Sequence, residues 1–188
     1  VKGVAPDSTT ETFIALRLFV ESWRWSGVPF FIRAGKCLEA KVTELRVILN
    51  SPPPIGIAGS AIPKADEIVI RIDPEGGACI LLEAKQPGAE TLRQIDLELL
   101  FQEELGDQPG PYERLLGDAL AGDPGHFARE DMVEETWRIV QPIIDEPPDP
   151  VPYKPGGWGP EEASHLTMGF GGWRRPWLPE EPLAAVGA

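Results

Sequence analysis

The runs from Glu67 to Asp73 and from Ala78 to Lys85 are rich in branched residues and are separated only by Pro74-Glu75-Gly76-Gly77. So short a connection can join two strands only as an antiparallel hairpin, because parallel neighbours need a crossover of a dozen or more residues. Three further runs read as strands. Pro29 to Ala34 is aromatic and branched, Val42 to Leu49 alternates apolar and polar residues, and Leu92 to about Phe101 sets Ile95, Leu97 and Leu99 against Gln94, Asp96 and Glu98. No crossover helix lies between these strands. The spacing therefore predicts an α+β fold built on a large, mainly antiparallel β-sheet, with the helices of the second half packed on one of its faces. Those helices are expected over Pro111 to Gly122 and Arg129 to Ile144, where apolar residues recur at period 3.6. A short helix is expected to start near Gly159-Pro160-Glu161-Glu162, with Pro at its first position. At the other end, Ser8-Thr9-Thr10-Glu11 has capping-box spacing, and Phe13, Leu16, Val20 and Trp23 fall at helical intervals, so a first helix is predicted there too.

Composition narrows the class. In 188 residues there are 21 Pro and 20 Gly, more than one residue in five, so many turns and long connections are expected, chief among them Ser51 to Pro63. The length suits a single domain over 1–188, with 168–188 as a loosely ordered tail. A net charge of −13 repels nucleic acid and anionic lipid, and no apolar run approaches the roughly 20 residues that span a bilayer. Neither polyanion nor membrane is an expected partner. Two cysteines, Cys37 and Cys79, without a secretory signal suggest reduced thiols and a cytoplasmic protein. The first residue is Val1 rather than Met, which is read either as an unusual start codon or as the loss of the true N-terminus.

The usual chemical signatures are absent: there is no G-x-G-x-x-G, Walker, C-x-x-C or H-E-x-x-H sequence, so no metal is expected. His126, in a turn, reads as a hydrogen-bonded loop residue or as a proton carrier; His165, late in a short helix, has the same two readings. Cys37 beside Lys36 is either an activated thiol or an inert one. The one concentration of charge is Arg33, Lys36, Lys41 and Arg46 within fourteen positions of an otherwise acidic chain. Gly35 permits a tight turn or close approach of a ligand, and Lys36 would project from it as a point charge suited to a phosphate or a sugar hydroxyl. Glu39 and Glu44 are interleaved, so a solvated, salt-bridged surface accounts for the same run.

Beyond these residues lie longer blocks. Asp7-Ser8-Thr9-Thr10-Glu11-Thr12-Phe13, Trp23-Arg24-Trp25-Ser26-Gly27-Val28-Pro29-Phe30 and Arg33-Ala34-Gly35-Lys36 occur in that order. Further on come Glu67-Ile68-Val69-Ile70-Arg71-Ile72, Tyr112-Glu113-Arg114-Leu115-Leu116, Glu135-Thr136-Trp137-Arg138-Ile139 and Gly157-Trp158-Gly159-Pro160. In these blocks the sequence resembles the C-terminal domain of glucose-6-phosphate dehydrogenase over nearly its whole length, most weakly from Asn50 to Pro63 and after Thr167.

The resemblance implies a sheet that forms a homodimer or higher oligomer, and a part in oxidising glucose 6-phosphate to the 6-phospho-lactone in the oxidative pentose phosphate pathway. It implies that Lys36 and Lys41 contact the sugar phosphate, with Asp73 standing where a substrate-touching Gln is common. It also implies what the chain lacks. The family's Rossmann-like N-terminal domain, its NADP-binding turn and its catalytic histidine have no counterpart, so no catalytic residue is expected here, and NADP should be bound mainly by the missing part. Some animal members hold a second, structural NADP at positions matching Arg33, Arg71 and Asp96; Cys79 and Trp158 replace the Tyr and Arg of that site. The expectation is thus the substrate-binding and oligomerisation part of an NADP-dependent enzyme, inactive alone and completed by a separate or severed N-terminal portion. The alternative is a non-catalytic interaction or regulatory module that pairs through its sheet.

Overall fold

The computed structural model describes residues 3–5, 7–53, 63–106 and 109–178. Its strands are β1 (Phe13–Phe19), β2 (Pro29–Gly35), β3 (Thr43–Ile48), β4 (Glu67–Asp73), β5 (Gly77–Lys85) and β6 (Leu92–Leu100). Helices α1 (Phe101–Leu105), α2 (Pro111–Ala121) and α3 (Glu130–Asp145) follow, and then a 3-10 helix over Glu161–Thr167. The chain forms two compact units, one comprising Val1–Ala40 with Pro109–Trp173 and the other Lys41–Gln108 with Arg174–Ala188.

In the first unit the expected N-terminal helix is a strand. β1 pairs antiparallel with β2, from Phe13 opposite Gly35 to Phe19 opposite Pro29. Ser8 does not cap a helix; its hydroxyl closes a local turn on the N–H of Thr10 at 3.4 Å. Thr12 and Ile14 are branched at Cβ, which disfavours helix and suits a strand. The second strand decides the matter, since the apolar spacing of this stretch fits either state until β2 supplies a ladder. Ser22-to-Gly27 makes the connecting turn, with the Ser22 carbonyl accepting from Trp25 and Ser26 N–H.

Phe13 closes this unit against the segment before the 3-10 helix. A Cβ built on Gly35 would lie 2.8 Å from the Phe13 ring, and one on Gly159 would lie 2.3 Å from it at a φ of +101°. Both positions must be glycine for packing, so Gly35 serves the fold before any ligand. Phe31 meets Phe170 and Trp173, and the Trp173 indole N–H donates to the Ala163 carbonyl at 2.9 Å. α2 starts on Pro111 and ends on Gly122 in the left-handed conformation, the usual asymmetry of helix ends. Neither α2 nor α3 buries a residue, and Leu116, Leu120, Met132 and Trp137 stay exposed on their apolar stripes.

The second unit is a meander, β3-β4-β5-β6, antiparallel throughout. The predicted hairpin is β4–β5, and its residues lie within one or two positions of expectation. One face carries Leu45, Val47, Ile70, Ile80, Leu97 and Leu99, all exposed. The opposite face holds the buried residues Val69, Arg71, Cys79 and Glu67. The segment 168–188, expected to be loose, is anchored as far as it is described. Residues 174–178 form a strap on the polar face, and the remainder of the expected tail lies outside the described residues, as does most of the Ser51-to-Pro63 connection.

Gly159→Ala should therefore cost on the order of 3 kcal/mol, from overpacking against Phe13 plus a disfavoured φ. Urea unfolding of wild type and variant checks this; an unchanged midpoint would contradict the packing described for Phe13.

Candidate functional site

The chain leaves β2 at Gly35 and turns through Lys36 and Cys37. Lys36 N–H donates to the Thr12 carbonyl at 2.8 Å, which closes the β1–β2 ladder. Cys37 then adopts a φ of +52°, a left-handed conformation that residues other than glycine take up only when the surroundings enforce it. Backbone bonds from a distant loop do so here. The Cys37 carbonyl accepts from Gly156 N–H at 2.8 Å, and Glu39 N–H donates to the Gly157 carbonyl at 3.0 Å. Lys36 is exposed, and its ammonium has no ion pair among the described residues.

The other members of the basic run are engaged. Arg33 lies between two indoles, 5.1 Å from the Trp158 ring centroid and 4.8 Å from that of Trp173. Arg46 bonds Glu44 at 3.1 Å and Glu67 at 2.8 Å. Arg33 is thus stacked and Arg46 is ion-paired in a little-exposed network, rather than both lying on a solvated surface. Lys41, in the second unit, pairs with Asp73 at 3.2 Å, so the structure brings together two of the three residues expected at the substrate. Lys41 itself is almost fully exposed, and such a pair contributes little to stability.

Arg71 is 1% exposed, the least accessible large side chain of the second unit. Its guanidinium lies 4.1 Å from the Trp177 ring centroid and donates to the carbonyls of Glu75 at 2.7 Å and Trp177 at 3.3 Å. The strap is held at further points. Glu44 accepts from Trp177 N–H at 2.8 Å, Arg46 donates to the Arg175 carbonyl at 3.2 Å, and Arg174 meets Glu67 at 2.7 Å. Glu67 thus answers both Arg46 and Arg174, which satisfies a nearly buried carboxylate. Asp96 shares this sheet face, in the row of Leu81 and Glu67, which lies four positions from the row of Arg71.

The histidines stand apart. His126 engages Asp118 through Nδ1 at 2.8 Å and Arg114 through Nε2 at 2.7 Å, which ties the loop back onto α2. His165 sits in the 3-10 helix. Among the described residues, no group of three or more His, Cys, Asp or Glu is placed to hold a metal, and no helix is long and apolar enough to cross a membrane. Sequence reasoning missed Tyr153, Trp177 and Glu67. Only Gly157-Trp158-Gly159-Pro160 signalled that the loop ahead of the 3-10 helix matters, because Tyr153 itself lies in a Pro- and Gly-rich stretch that reads as mere connection.

The antiparallel sheets and the helices that follow them place the chain in the α+β class. The chain belongs to the family described as glucose-6-phosphate dehydrogenase, C-terminal domain, whose model matches residues 1–176. It is 48% identical over 180 residues to glucose-6-phosphate 1-dehydrogenase 1 of Mycobacterium tuberculosis, covering 95% of this chain and 38% of that protein. The crystal structure of glucose-6-phosphate 1-dehydrogenase from Mycobacterium avium superposes with a TM-score of 0.83 at 46% identity, again over 95% of this chain and 38% of that one. A glucose-6-phosphate dehydrogenase in complex with its substrate glucose 6-phosphate superposes with a TM-score of 0.78 at 30% identity, over 94% of this chain and 37% of the other. The chain thus spans less than two-fifths of the length of these relatives.

The two cysteines differ in a way that can be measured. Cys37 is exposed, whereas Cys79 is buried, and burial, followed by the charges of Glu98 and Asp96, pushes its thiol above the ordinary range. Near pH 8 iodoacetamide should add once to the folded chain, at Cys37, and twice in urea, as read by mass spectrometry. Rapid alkylation of Cys79 in the folded chain would contradict its placement.

Proposed function

We propose that this chain is the sugar-phosphate side of a glucose-6-phosphate dehydrogenase, contributing Lys36 and Lys41 to binding of glucose 6-phosphate. The observation that carries this reading is the R-x-G-K block of a shown family member folded as a held turn, with the Lys36 ammonium left without an ion pair among the described residues. A dianionic phosphate needs such a cation, and a fixed backbone lowers the entropy lost on binding it. Lys41 supplies a second positive charge. Asp73, paired to it, orients that ammonium and offers a carboxylate to a sugar hydroxyl.

NADP is held mainly by the part of the enzyme outside these 188 residues, as is the general base, so the chain does not oxidise sugar alone. A second, structural NADP finds no suitable place at Arg71. That guanidinium is buried beneath Trp177 and already donates to two carbonyls, so a nucleotide would have to displace the strap. Residues 1–188 act as one functional domain in a reducing cytoplasm.

The exposed apolar face of the second unit favours a further role in assembly. Six large aliphatic side chains are exposed on one face of four adjacent strands, and apolar patches of this kind mark interaction surfaces. A second copy of the enzyme covers it in a homodimer or larger oligomer. The same face favours the alternative of a module that only pairs with other copies and regulates them.

Ligand-observed NMR titration of the chain with glucose 6-phosphate, with glucose as control, tests the site. Lys36→Ala should weaken binding about tenfold and Lys41→Ala about threefold, the range expected for losing a charge-assisted contact to phosphate. Absence of binding to the wild type, or equal binding by Lys36→Ala, would overturn the reading.

A further inference from the structure

Tyr153 lies 117 residues from Lys36 in sequence and yet its hydroxyl oxygen is 2.7 Å from the Lys36 carbonyl. The same oxygen is 3.1 Å from the Thr12 carbonyl and 3.3 Å from Thr12 Oγ1. A phenol has one proton to give. It goes to the nearer acceptor, the Lys36 carbonyl, and leaves the phenolic oxygen to accept from the Thr12 hydroxyl. Thr12 in turn accepts Lys36 N–H on its own carbonyl, so hydrogen bonds among three residues hold both backbone groups of Lys36. The Tyr153 ring is fixed as well, packed at a tilt 5.4 Å from Phe13 between centroids.

Among the described residues, Tyr153 alone donates to the Lys36 carbonyl. Immediately after it comes Cys37 at positive φ, the conformation the peptide would leave most readily if released. The Gly156 and Gly157 bonds hold the turn one and three residues further on, and they belong to the same loop that begins with Tyr153. That loop therefore works as a brace whose fixed point is the phenol, and the Lys36 backbone from which the ammonium projects is what it braces.

We propose that Tyr153 is a positioning residue for Lys36: its hydroxyl sets the direction in which the lysine leaves the turn and so the affinity for the sugar phosphate. It touches no substrate itself. The inference rests on the reading of Lys36 as a substrate contact, and the experiment separates the two.

Glucose 6-phosphate is titrated by NMR against the wild-type chain, Tyr153→Phe, Lys36→Ala and the double variant. Tyr153→Phe keeps the ring and its packing on Phe13 and removes only the hydroxyl. It should weaken binding about fivefold, and the double variant should bind no more weakly than Lys36→Ala alone, because a positioning residue has nothing to position once the ammonium is gone. If Tyr153→Phe binds as wild type while Lys36→Ala is weakened, the brace fails and the site stands. Multiplying losses in the double variant would show that Tyr153 acts on the fold in general and would overturn the proposal. If Lys36→Ala binds as wild type, the underlying site reading fails. Thr12→Val removes the hydroxyl that donates to the phenol and gives a second route should Tyr153→Phe not fold. It should weaken binding about twofold and lose that effect in the Lys36→Ala background; an effect that persists there contradicts the brace.

Discussion

The contact of Phe13 with two glycines is the constraint on which the first unit depends. Phe13 opens β1, faces Gly35 across the ladder, touches the position of Gly159 and packs on Tyr153. Each of those partners leads to the Lys36 turn. Gly35 ends the strand that delivers Lys36, and Tyr153 and Gly159 bound the loop that holds the lysine's backbone. A ring seated where no Cβ is tolerated thus helps fix the backbone at which Lys36 leaves β2. Packing of this density fixes geometry better than surface ion pairs do, because the side chains have no alternative arrangement of similar volume.

The second unit inverts the usual economy of a sheet. Its polar face is the covered one. Arg71, Glu67, Arg46 and Glu44 are closed over by a strap that supplies an indole, backbone groups and one more arginine, and these donors and acceptors answer one another. Among the described residues, no buried side-chain nitrogen or oxygen is left without a partner. Charged groups are tolerated inside on that condition alone. The apolar face, in contrast, remains open, as do the stripes of α2 and α3. Surfaces of this kind fit a domain that meets other protein, consistent with a chain that spans under two-fifths of its relatives.

Most of the fold was legible in sequence, and the parts that were not share one cause. Strands β2 to β6 showed themselves by alternation and by the turn residues between them, and α2 and α3 by period. β1 was misread as helix because Phe13, Leu16, Val20 and Trp23 satisfy a helical interval, and Ser8 to Glu11 mimics a cap. What overrides both is a ladder whose partners range from Phe19 opposite Pro29 to Phe13 opposite Gly35, beyond the reach of a helical period, which no local pattern reports. The site divides in the same way. Lys36 after Gly35 was visible as a turn with a charge on it, whereas Tyr153 was hidden in a proline-rich stretch and acquires its role only through contact across the fold. Arg71 was a ligand candidate only through the resemblance, as a position matching a structural NADP site; the strap, placed by tertiary structure, shows what lies on it here.

The proposed function divides the labour: this chain would orient the sugar phosphate, and NADP and the general base would come from outside these 188 residues. The most direct measurement is NADPH formation at 340 nm from glucose 6-phosphate and NADP. It would be made with this chain alone, with the separately produced N-terminal portion of the M. avium relative alone, and with the two mixed. The account predicts no turnover from either part and turnover from the mixture, lost again when the chain carries Lys36→Ala. Turnover by the chain alone would contradict it, and so would a mixture that is equally active without Lys36.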